Sequence, residues 1–149
     1  MVGEVKENRS VLSLPALVHV LGAPSRSQVQ GGTRRISWDE VGIQLEATAQ
    51  ESTPFALLFE FGGGNAEDQG VVPSGQYEGT LDCLGIKLHS SVQIADVKSL
   101  LASAGFNHES GSTAAESWSV RLEHWTAFLR FSANGKLDFA VIRILPDLF

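Results

Sequence analysis

Apolar positions in this chain fall first at every second residue, then at helical spacing, then at every second residue again, and the whole order recurs at an offset of 80 positions. Strict alternation is the signature of a strand with one wet face, and an i, i+3, i+4 recurrence that of an amphipathic helix. Gly3 to Val11 alternates, and so does Tyr77 to His89, where Leu84-Gly85 interrupts the pattern and predicts a hairpin or a bent strand. A helix is expected from about Ser13 to Leu21, with Pro15 tolerated in its first turn and Gly22 as its stop. The second helix is expected from about Gln93 to Ala104, on Ile94, Val97, Leu100 and Leu101. Gly105 ends it, Ser91 is the candidate N-cap, and Asp96 suits the helix dipole.

Three strands are predicted after each helix. In the first half they are Thr33 to Trp38, Gly42 to Ala47 and Pro54 to Phe61. In the second they are Ser117 to Glu123, Thr126 to Ser132 and Leu137 to Leu145, with Asn134-Gly135 as a tight turn. Ser25 to Gly32 and Asn107 to Glu116 read as loops, and Gly62 to Gly70 as a flexible polar connector. At the 80-position offset Leu17, Val20 and Leu21 fall on Val97, Leu100 and Leu101, Trp38 on Trp118, and Phe59 on Phe139. The expected fold is α+β: two α-β-β-β repeats, short helices packed on one face of an antiparallel sheet. The expected organisation is a single domain over 1–149, with pseudo-repeats at about 1–61 and 76–149 joined by a connector over 62–75.

Composition narrows the function. With 149 residues and 43% apolar content the chain can bury a core unaided. A net charge of −6 and no basic stripe argue against nucleic acid, and no basic amphipathic helix points to a membrane surface. The acidity reads as solubility, or as a surface that meets a basic partner. The single cysteine, Cys83, excludes an intramolecular disulfide and a cysteine-based metal cluster. With no apolar export segment at Met1 to Arg9, the expected location is cytoplasmic.

The run Leu17-Val-His-Val-Leu-Gly-Ala-Pro-Ser-Arg26, then Ile36-Ser-Trp-Asp-Glu-Val-Gly-Ile43, resembles the repeat of SmpA-like and β-lactamase-inhibitor-protein-like modules. It is also similar to bacterial domains of toxin–immunity loci, type VI secretion among them. The resemblance covers roughly Val11 to Phe61 and, more weakly, Val92 to Leu145. It implies a helix-plus-sheet module that binds another protein without cofactors. Lacking a lipoprotein cysteine and disulfides, the chain fits a cytoplasmic immunity protein rather than an envelope or exported member.

Catalytic chemistry finds no motif. His19, His89, His108 and His124 form no ligand pair. His19 reads as a half-buried packing residue, and His124 as a turn residue or, less simply, a general base. Cys83 beside Asp82 lacks the cation a thiolate needs. Ser25 and Ser74 follow prolines without a nucleophile elbow. No catalytic residue, metal ligand or cofactor is therefore assigned. Candidate partner-binding residues are Trp125 and His124 at a hairpin tip, and the acidic loop residues Asp39, Glu40, Glu67 and Asp68. Trp125 is either a part-exposed anchor or a ring folded back on its own sheet. The expected function is neutralisation of a cognate bacterial toxin by protein–protein contact. The rivals are a non-catalytic assembly or scaffold module, homodimeric through a sheet edge, and an enzyme whose site is assembled from distant residues.

Overall fold

The computed structural model describes residues 14–50, 54–62, 75–110 and 116–144. The alternation at Gly3 to Val11, the connector from residue 63 to 74, Glu67 and Asp68 all lie outside them. The architecture is α+β, dominated by antiparallel sheet. Helix α1 (Leu14–Leu21) is followed by β1 (Arg26–Gln30), β2 (Thr33–Trp38), β3 (Ile43–Thr48) and β4 (Pro54–Glu60). A small hairpin, β5 (Leu81–Cys83) with β6 (Ile86–Leu88), precedes α2 (Ile94–Ser103). Then come β7 (Asn107–Ser110), β8 (Glu116–Arg121), β9 (Trp125–Phe131) and β10 (Leu137–Ile144).

Eight strands make one sheet in the order β1-β2-β3-β4-β10-β9-β8-β7, so two meanders meet where β4 pairs with β10. Four strands follow each helix, not three. Ser25 to Gly32 and Asn107 to Glu116 were expected as loops, yet Arg26–Gln30 and Asn107–Ser110 are edge strands. Both are polar throughout apart from Val29, so they carry no apolar alternation. They pair because the backbone of β2 and β8 needs partners.

One face of the sheet is the core face. Ile36, Leu45, Leu57, Ile142, Ala127 and Val120 lie in register across it, and Trp38, Ile43, Phe59, Ala140, Leu129 and Trp118 form the next row. Leu17 of α1, Val97 and Leu101 of α2, and Leu81, Cys83, Ile86 and Leu88 of the hairpin close the same buried cluster. Helices this short depend on such packing for their stability. At the start of α2 the N-cap is Gln93 rather than Ser91, and its side chain makes no capping bond. Instead the Ile94 amide donates to the Gly135 carbonyl at 2.8 Å, tying the helix to the β9–β10 hairpin. That hairpin is longer than a two-residue turn: Ser132 to Lys136 connect the strands, and Asn134 Oδ1 accepts the Lys136 amide.

The β5–β6 turn forms at Leu84-Gly85 as expected. Both residues have positive φ, 53° and 83°, the geometry of a type I′ turn. Leucine is strained there and its side chain is exposed. Replacing Leu84 by asparagine is expected to stabilise the fold by about 0.5–1 kcal/mol, read from urea unfolding midpoints.

Candidate partner-binding face

The residues that carry the resemblance hold one another in place. Gly22 ends α1 with φ 83°, its amide donates to the Val18 carbonyl, and its own carbonyl accepts the Trp38 indole N–H at 2.9 Å. Ser25 Oγ accepts the Asp39 amide at 3.0 Å, which starts the 3-10 turn Asp39–Val41. Arg26 grips Asp39 with two parallel bonds, Nε to Oδ2 at 2.7 Å and Nη2 to Oδ1 at 2.8 Å. This bidentate pair is part-buried, with side-chain exposures of 28% and 17%. Asp39 is therefore engaged inside the fold, which weakens it as a residue offered to a partner. A double-mutant cycle with Arg26→Ala and Asp39→Ala is expected to give a coupling of about 1–2 kcal/mol in unfolding free energy.

The other expected site residues scatter. Trp125, the proposed anchor, is the first residue of β9 and only 3% exposed; its ring belongs to the core. It lies in register with Ile144 and so points to the face that buries Ile142 and Ala127. Alternation through Trp125, Ala127, Leu129 and Phe131 carried this information, but Trp125 reads as a tip residue if the strand begins one position later. His124 is part-exposed in the β8–β9 turn, 3.8 Å from Glu123. Glu40 is exposed in the 3-10 turn at the β2–β3 connection. Nothing brings Trp125, His124, Asp39 and Glu40 to one surface.

Of the remaining histidines, His19 is exposed on α1 rather than half-buried. His108 stacks on Trp118 with ring centroids 4.7 Å apart and meets Glu116 at 3.1 Å. Among the described residues no three His, Cys, Asp or Glu side chains converge as a metal site. An open depression of about 340 Å³, lined by Gly31, Gly32, Thr48, Ala49 and Gln50, offers no titratable side chain. Cys83 is buried, and burial first and the Asp82 charge second push its thiol up to about 12. At pH 8 its thiolate fraction is on the order of 10⁻⁴, so a disulfide-exchange reagent is expected to leave the native protein unmodified and to label it promptly in urea.

What pattern reading missed is the face opposite the core. On β8, β9 and β10 three rows cross it: Arg143, Thr126 and Arg121; Val141, Phe128 and Ser119; Phe139, Arg130 and Ser117. Phe128, Phe139 and Val141 are half-buried, whereas Arg121, Arg130 and Arg143 are exposed. The two phenyl rings lie 5.9 Å apart, and the Arg130 guanidinium sits over Phe139 at 5.9 Å. The signal was present in Phe128-Leu-Arg-Phe-Ser, where apolar residues occupy both faces of one strand. On the first half of this face Ser37 donates to Gln44 at 2.8 Å, and both are buried.

No family model, curated protein or solved structure matches the chain. Among the described residues, no helix is long and apolar enough to cross a membrane.

Proposed function

We propose that this chain is an immunity protein: it binds a cognate bacterial toxin, of the kind delivered by type VI secretion, and neutralises it by contact, with no chemistry of its own. The observation that carries this reading is the face of β8, β9 and β10 where exposed arginines surround half-buried aromatic rings. Arginine and aromatic side chains are the groups most enriched at interface hot spots, and strands hold their backbone in place, so the ordering cost on binding is confined to the side chains. A second support is the order of elements, a helix then a four-stranded meander in each half, which suits the tandem-module resemblance of Leu17 to Ile43. In this reading the two halves are pseudo-repeats and the protein works in the cytoplasm.

The test is capture of the tagged chain from its native lysate, followed by expression of any stoichiometric partner alone and together with it. A partner that is toxic alone and harmless in the presence of this chain is the expected result. Self-association alone would favour the scaffold reading, which rests on β1 and β7 as the two unpartnered edges of the described sheet.

A further inference from the structure

Resting on that protein-binding reading, we infer that the β8–β9–β10 face docks an acidic protein surface, in which carboxylates surround an apolar projection. The nine positions in its three rows include Arg121, Arg130 and Arg143 and no acid. Arg121 and Arg143 flank Thr126 in one row, about 10 Å apart across two strand spacings. Arg130 lies two rows away, about 14 Å along the strands. Phe128 and Val141 fill the row between them. The arrangement is a triangle of guanidinium groups around an apolar floor.

Among the described residues none of these three arginines makes an ion pair. Glu46, Glu60 and Glu109 share the face but stand outside the triangle, separated from it by Ala56, Phe139 and Ser117 respectively, and Asp138, in the bulge beside Phe139, lies against Gly62. Glu60 is buried and accepts the Gly62 amide.

Charge selects the occupant. A chain of net charge −6 that gathers three cations in one acid-free patch has a remainder more acidic than the whole. An acidic partner is attracted by the patch and repelled elsewhere, which fixes its orientation. Each guanidinium matches a carboxylate in bidentate fashion, while Phe128 and Phe139 provide the desolvated centre. A second copy docked by the same face about a two-fold axis would oppose arginine to arginine. Single-stranded nucleic acid could stack on the phenyl rings, but the −6 net charge opposes a polyanion along its length. The partner charge is thus opposite to that expected from Asp39, Glu40, Glu67 and Asp68.

The experiment pans a random displayed-peptide library against the full immobilised chain and against the variant R121E/R130E/R143E. The substituted side chains are exposed, and an unchanged circular dichroism melt establishes that the variant folds. The wild type is expected to enrich peptides with two or more Asp or Glu around an aromatic or large aliphatic residue. Fluorescence anisotropy of the consensus peptide is expected to show affinity falling about tenfold or more in the triple variant, and in Phe128→Ala. Selected peptides without acidic bias, or bound equally by the triple variant, would overturn the inference, as would tighter binding of a single-stranded oligothymidine. Its failure differs from failure of the immunity reading. A neutralised toxin still bound by R121E/R130E/R143E sinks this face alone, whereas acidic peptides selected where no toxic partner exists sink the immunity function alone.

Discussion

Gly42→Ala is expected to cost about 2–5 kcal/mol of folding stability, measured by urea unfolding. Two independent penalties meet at this residue. Its φ of 71° lies in the left-handed region, where a side chain costs about 1–2 kcal/mol. A Cβ there would also collide with the Tyr77 amide nitrogen and lie 2.5 Å from the Gln76 carbonyl carbon. Both are backbone atoms, held in place because the Tyr77 amide donates to the Glu60 carbonyl and the Glu60 amide to the Gly42 carbonyl. Tyr77 is fixed further by edge contacts with Phe59 and Phe61. Relief therefore requires displacing the backbone at residues 76–77, at about 1–3 kcal/mol. Gly31→Ala supplies the control: φ is 63°, but a Cβ there meets nothing within 4 Å, so only the conformational penalty is expected. Equal losses at the two positions would show that the close approach of residues 76–77 contributes nothing.

Trp125→Ala should destabilise the protein by about 3–5 kcal/mol, the cost of emptying a large buried aromatic site. An exposed binding anchor would behave in the opposite way, losing affinity while leaving stability intact. A ring 3% exposed belongs to the first class. Trp125→Phe sharpens the comparison, because the Trp125 indole nitrogen has no hydrogen-bond partner among the described residues. That variant loses volume but no bond and is expected to cost about 1–2 kcal/mol. A stability loss below about 1 kcal/mol for Trp125→Ala would restore the anchor reading.

Much of the sheet was legible because burial on one face writes an alternation into the strand, as in Ile43 to Ala47 and Trp125 to Phe131. Helix α2 and the Leu84-Gly85 turn were legible for the same reason: periodicity and turn chemistry are local. The edge strands were not, because Arg26–Gln30 and Asn107–Ser110 carry no apolar alternation and owe their conformation to a neighbour. The candidate face was harder still. Arg121, Arg130 and Arg143 are far apart in sequence and meet only through the registers of three strands. Asp39 misled in the other direction: a carboxylate on a turn reads as solvated until the arginine thirteen positions earlier is seen to hold it.

The seam between β4 and β10 bears on how this protein is made. β10 is the last of the described strands, and it enters the middle of the sheet, between β4 and β9. Until it emerges from the ribosome, β4 presents Ala56, Leu57, Leu58 and Phe59 along a bare hydrogen-bonding edge. Such an edge is a template for another chain. The nascent first half therefore passes through an interval of aggregation risk, which closes only when its own distant strand arrives to occupy the place.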